Sequence, residues 1–252
     1  MCAYTPEGAF AAEMALAKQT LHKSVQVSRM FTELGLTARG KLEQVSVDNR
    51  FWFAKLYENI TYNEILAGRK FTYPAFLFHF IPVFYDMYYQ ALMADLKGES
   101  SKVSPHWKAY FKITSRGDVD GWSAITDSIV AGVSAHINGD MEEALVRAYL
   151  SYVSKYCRPK QFDLHYHDFF SESNRKVFDK VVADFFIDLS RTTFPGPVDQ
   201  GQFAMGVGSQ PHAIGPFKFH LADIVLGKSL DLDEVWEWRN QAWGRARRRI
   251  GN

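Results

Sequence analysis

Apolar residues along this chain recur at helical rather than strand spacing, and the strongest such run is Trp122 to Leu150. Wound at ~100° per residue, Trp122, Ile125, Ile129, Val133, His136 and Asp140 fall within about a quarter of the circumference. The stripe is otherwise tryptophan and β-branched residues, so it predicts a buried face with an imidazole and a carboxylate inside it. His136 and Asp140 stand four apart and are therefore neighbours on that face. A buried carboxylate is costly unless paired, hydrogen-bonded or metal-bound. The competing expectation is structural. Gly139 can end a helix, and Asp140 to Glu143 then reads as a capping box that starts another.

The same periodicity predicts further helices over residues 6–34, 49–66, 76–96, 162–189 and 233–249. Gly35 and Gly40 bracket a break after the first. The 76–96 helix is apolar nearly all round, with His79 and Asp86 on one face and Pro82 between them. Asp163, His165, His167 and Asp168 cluster at the start of 162–189, either as metal ligands or as a polar helix start. In the last helix Trp236, Arg239, Asn240 and Trp243 form one stripe. Ser229 or Asp231 can cap it, and Arg239 is expected to stack on tryptophan and to pair with Asp140 or Asp86. Arg116-Gly-Asp118 reads as a turn. Residues 192–216, rich in Gly and Pro, read as a long irregular loop.

These elements predict a mostly α fold. It is a single bundle of roughly six to eight helices around 122–150. Residues 1–45 form an N-terminal helical arm and 46–252 the helical domain. Composition changes this picture little. With 252 residues, 47% hydrophobic, the chain suits one globular body. Its 20 Phe and 12 Tyr favour a large core or an aromatic-lined pocket. A net charge of +1 gives no case for nucleic acid as partner. Two cysteines cannot build a disulfide scaffold. No stretch reaches the ~18 apolar residues of a membrane span. Tyr73 to Tyr89 comes nearest and reads as a buried helix. With no secretory leader, a cytoplasmic location is the expectation.

Three stretches carry a family likeness. One is Phe51-Trp-Phe-Ala-Lys-Leu-Tyr57 with the aromatic run Phe80 to Ala91. The second is Gly132-Val-Ser-Ala-His136-Ile-Asn138-Gly-Asp140, and the third is Trp238-Arg239-Asn-Gln-Ala-Trp243. Through them the chain resembles the domain of unknown function 5995 family. That resemblance implies a mostly helical fold and a shared site around His136, Asn138 and Asp140; it implies no activity. A weaker similarity is to the zinc-dependent phospholipase C and single-strand nuclease group, through His-x-x-x-Asp on a core helix. The chain departs from that group in lacking the second histidine and the N-terminal tryptophan ligand.

Two functions follow as expectations. The first is an enzyme acting on a small, largely apolar molecule in an aromatic-lined helical pocket. It would be a metal-assisted hydrolase or an acid/base cyclase or isomerase. His136, Asp140 and Arg239 are its catalytic candidates. Trp52, Tyr57, His79, Asp86 and Trp243 are its substrate-binding candidates. His136, Asp140 and His167 are candidate ligands for one divalent metal such as zinc. No G-x-S-x-G motif is present, which argues against a serine hydrolase. The second function is a non-catalytic binding or scaffold protein whose polar residues form a core network.

Overall fold

The computed structural model describes residues 5–39, 48–115, 122–158, 160–193 and 231–251. In chain order its helices are α1 Pro6–Arg39, α2 Arg50–Gly68, α3 Pro74–Leu96, α4 Pro105–Thr114 and α5 Trp122–Ser134, then a π turn Ala135–Asp140. They continue with α6 Met141–Tyr156, α7 Tyr166–Phe170, α8 Glu172–Thr193 and α9 Leu232–Ile250. Short 3₁₀ turns occupy Ser100–Lys102 and Phe162–His165. Among the described residues there is no strand, and the mostly α bundle stands. No described helix is long and apolar enough to cross a membrane. The expected Arg116-Gly-Asp118 turn, the chain around Gly40 and the part of the expected 192–216 loop beyond residue 193 lie outside the described residues.

The expected rod at 122–150 is present, but its winding changes midway. Gly139 does not end it. The chain passes from α5 through six π-wound residues into α6, and Asp140 makes no side-chain capping bond. The capping-box expectation is therefore corrected. α5 packs on α2 and α4, and α6 packs on α3 and α9. Arg245 and Arg249 of α9 donate to Glu142 at the start of α6, and Arg249 also to Glu143.

Local chemistry explains most boundaries. Pro74 and Pro105 open α3 and α4, where a missing N–H costs nothing. Ser104 caps α4 through the amide of Trp107, and Asp231 caps α9 through Asp233 and Glu234. At α3 the cap comes from elsewhere in the chain. The Asp168 carboxylate of α7 accepts from the amides of Thr72 at 2.9 Å and Tyr73 at 2.5 Å. α3 carries Pro82 within its length, and its apolar side chains are buried almost all round.

Two expected outlines change. α1 continues through Gly35 to Arg39, and far from standing off as an arm it buries Ala9, Glu13, Ala17, Thr20, Ser24, Val27 and Phe31. Those residues recur every three or four positions, and the face packs on α2 and α3. The helix expected over 162–189 is broken at Ser171. This residue is extended, and its hydroxyl accepts from the Asn174 amide, so it starts a new helix.

Gly132 lets α2 lie against α5. A Cβ there would meet the Phe53 side chain at 2.4 Å. Gly132→Ala is therefore expected to lower stability by about 1–3 kcal/mol through overpacking. Gly244→Ala in α9, where an added Cβ meets nothing closer than 3.8 Å, should be neutral or stabilising by up to about 1 kcal/mol. Denaturant melts of the two variants check the contrast.

Candidate functional site

The π turn sets the centre of the site. His136 and Asp140 are both buried, at 3% and 5% exposure, and His136 Nδ1 lies 3.2 Å from Asp140 Oδ2. The same oxygen accepts from Trp107 Nε1 at 2.8 Å. Indole N–H is a donor only, so Asp140 serves as an acceptor. A proton on His136 Nδ1 completes the pair and leaves Nε2 as the imidazole's lone-pair nitrogen. Phe84 stacks on the ring at 3.5 Å between centroids and 13° between planes. Phe53 and Tyr57 of α2 meet it edge-on. The imidazole can neither rotate nor tilt without moving these neighbours.

His136 lines a cavity of about 90 Å³ between α2, α3 and the π turn, bordered also by Phe169, Phe178 and Arg239. Its walls are Phe53, Tyr57, Leu77, Phe80, Ile81 and Phe84, with other apolar side chains. Besides the hydroxyl-bearing Tyr57 and Thr61, three lining residues bring charge or lone pairs to it: His136, Glu64 and Arg239. Each has a buried polar atom without a partner: His136 Nε2, Glu64 Oε2 and Arg239 Nε. A buried polar group left unpaired costs roughly 1–3 kcal/mol. Three on residues lining one cavity make that cavity the candidate site.

Burial moves all three protonation equilibria. It pushes the Glu64 carboxyl up to about 7, against the pull of the Arg239 charge. It lowers His136, against the Asp140 carboxylate, so the imidazole is neutral near pH 7. It lowers Arg239 too, opposed by Glu64 and Asp179. The Arg239 guanidinium is held besides by a hydrogen bond and by aromatic rings. Its Nη2 donates to Phe169 O at 3.1 Å, and its carbon sits 4.2 Å over the Trp236 ring and 5.7 Å over Phe170.

The residues singled out by sequence are distributed unevenly. His136, Tyr57 and Arg239 line the cavity, and Asp140 stands behind His136. The stacking of Arg239 on tryptophan is as expected, but its partner is the Phe169 carbonyl and not Asp140 or Asp86. Asp86 is exposed and takes a hydrogen bond from Gln90. Trp52 is half-buried and packs on Phe51, outside the cavity wall. Trp243 is buried but stacks on Phe162. His79 is bound to Glu13 and Ser151. His167 is exposed, so the trio His136, Asp140 and His167 is not brought together as a metal-ligand set. Among the described residues no three His, Cys, Asp or Glu side chains converge on one point. Asp168 is committed to capping α3, and His165 lies against Phe76, with burial and the Arg158 charge lowering it to about 4.

Glu64 is the member that sequence reasoning missed. Its signal was present. Phe53, Tyr57, Thr61 and Glu64 succeed one another at four, four and three residues, which keeps them on one face of α2.

Compared with known proteins, the chain matches one family model, described as Family of unknown function (DUF5995), over residues 35–206. The match takes in Glu64 and the whole π turn and stops short of Arg239. No curated protein and no solved structure matches the chain. The phospholipase C likeness gains nothing from these comparisons.

Glu64 holds its proton more tightly in the folded than in the unfolded chain. From pH 4.5 to about 7 its contribution therefore makes the protein less stable as pH rises. Glu64→Gln removes that contribution. Relative to wild type, the variant should gain about 3 kcal/mol on going from about pH 4 to about pH 8. The lowered His136 and His165 act in the opposite direction but equally in both proteins, so they cancel from the difference. Paired urea melts across that range measure it.

Proposed function

The chain belongs to the DUF5995 family, whose description names no activity, and from the chemistry of its core we propose that it is an acid/base enzyme for a small, largely apolar molecule carrying one oxygen function. One observation carries the reading. The three unpartnered polar atoms belong to residues lining a single, largely apolar cavity. Their types complement one another as base, acid and fixed cation.

Asp140 holds His136 in the tautomer that presents a lone pair at Nε2, and burial keeps the ring neutral. Glu64, at about 7, is available in both protonation states near neutrality. Arg239 supplies a charge that stabilises a developing oxyanion. Together these suit proton transfer beside a carbonyl: His136 takes the proton from carbon, Arg239 steadies the enolate, and Glu64 returns a proton. Cyclisation and isomerisation use the same steps. The cavity, about 90 Å³, is smaller than the ~150 Å³ apolar space that admits benzene, so it suits a molecule of a few heavy atoms.

A binding protein without turnover is the alternative. The Asp140 cluster favours it, because Trp107 and His136 together pin α4 to the π turn, a structural task in itself.

Butanone in D₂O separates the readings. The protein is expected to speed exchange of the protons beside the carbonyl, monitored by proton NMR. His136→Gln should remove at least about 100-fold of that acceleration, and Glu64→Gln about tenfold or more. Insensitivity to EDTA is expected, whereas loss of exchange with the chelator would restore the metal-assisted reading. Exchange no faster than in buffer would sink the enzyme. A melting temperature raised by butanone, with no exchange, would establish the binding protein.

A further inference from the structure

His79 belongs to a second polar array that joins three helices and shares no residue with the cavity lining. Its Nδ1 lies 2.9 Å from Glu13 Oε2 and its Nε2 lies 2.7 Å from Ser151 Oγ. Glu13, on α1, is wholly buried; His79, on α3, is 9% exposed; Ser151, on α6, is exposed to solvent. Burial raises the Glu13 carboxyl, but hydrogen bonds from His79, Lys155 and Tyr156 outweigh it and hold the group at about 2. Glu13 is therefore an anion that only accepts. His79 Nδ1 donates to it, and Nε2 is left to take the Ser151 hydroxyl proton. Among the described residues the other acceptor for that proton is Ala148 O, at a longer 3.1 Å.

We propose that Ser151, His79 and Glu13 form a second chemical site, in which Ser151 is an activated nucleophile that takes an acyl group from small esters. The order of groups is nucleophile, base and orienting carboxylate, which is what serine acyl transfer requires. Ser151 Oγ bonds to the ester carbonyl carbon while its proton passes to His79 Nε2. The carbon–oxygen bond to the alcohol then breaks, and His79 gives that proton to the departing alkoxide. Water, deprotonated by the same nitrogen, releases the acid and restores the serine. Glu13 is the positioning residue. The Ser151 amide lies within α6 and is spent on the helix, so the oxyanion falls to Lys155. That side chain is one turn along α6, 44% exposed, and donates to Glu13 Oε1 at 2.7 Å. With a single mobile cation in place of a fixed pair of amides, acylation outruns turnover.

The array escapes motif searches because its members are 66 and 72 positions apart along the chain. The G-x-S-x-G signature is absent from the sequence, and the relay is assembled instead from side chains of three helices.

The full chain is treated with a fluorophosphonate probe. Ser151 Oγ bonds to phosphorus as fluoride leaves, and the hydroxyl proton goes to His79 and then to solvent. Peptide mass spectrometry is expected to find the adduct on Ser151 ahead of other serines. Ser151→Ala should abolish it without changing the melting temperature. His79→Gln should slow it at least tenfold. In unaltered protein the labelling rate should fall as pH drops and the imidazole is protonated. Glu13→Gln should slow labelling about tenfold or more, and Glu13→Asp, which keeps a carboxylate, should recover part of the rate. The other charged or titratable groups around His79 and Glu13 are Lys155, Tyr152 and Tyr156, which these substitutions leave in place. Glu64→Gln should label at the wild-type rate, so this site and the cavity stand or fall separately. Labelling without preference for Ser151, or an unchanged rate in folded His79→Gln, overturns the proposal. Should His79→Gln fail to fold, a flat pH profile in the wild-type protein does so instead.

Discussion

The site depends on a carboxylate that has to be answered. Asp140 is buried in an aromatic core, where an unpaired charge costs several kcal/mol. It accepts from an indole on α4 and an imidazole on its own rod, through the same oxygen. That double acceptance fixes where α4 lies against the rod, which nitrogen of His136 carries the proton, and so which nitrogen is left for chemistry. The aromatic rings from α2 and α3 close on the imidazole once it is held in that way.

The π turn makes this arrangement compatible with the packing on both sides of it. On an unbroken α-helix, the centre of the buried stripe Ile125, Ile129 and Val133 of α5 stands roughly 115° round from the centre of the stripe Ala144, Leu145, Ala148 and Tyr152 of α6. A π turn holds one residue more than an α turn and so rotates the helix beyond it back by roughly 100°. The extra residue brings the two apolar stripes towards one side of the rod while leaving His136 and Asp140 at the point of adjustment. Gly139 in that turn lets His106 of α4 come within 2.9 Å of where a Cβ would stand. The irregular backbone thus reconciles two packing faces and concentrates polar groups where the regular ladder is interrupted.

Helical spacing made most of the fold legible, because a buried stripe recurs every three or four residues whatever its neighbours in space. It even located His136 and Asp140. A constant ~100° per residue, however, cannot report a change of winding. The visible sign was the mismatch between the stripes before and after residue 140. Tertiary choices were out of reach for a different reason. Asp86 and Glu64 are both acids on aromatic-rich helices. α8 lies against α2 and Arg239 beside Glu64, whereas the outward face at Asp86 is exposed among the described residues. The same holds for His79 and His136. Each sits in an apolar run, and only the helices around them decide which is fully partnered.

That difference in partnering separates the two proposed sites. α3 carries His79 and Phe84 five residues apart, roughly 140° around the helix, so it turns one to Glu13 and Ser151 and the other to His136. On the first side every ring nitrogen has a protein partner, and the hydroxyl at the end of the chain of hydrogen bonds reaches solvent. On the second side one ring nitrogen has none, and it is sealed among rings beside an acid and a guanidinium with unmet atoms of their own. Proton transfer inside a largely apolar cavity needs such spare valences, since a ligand has to meet them. Nucleophilic attack at a surface needs the opposite, a relay complete up to its last oxygen. Both imidazoles gain their tautomer from a buried carboxylate, and the packing of α3 between them keeps the two arrays apart.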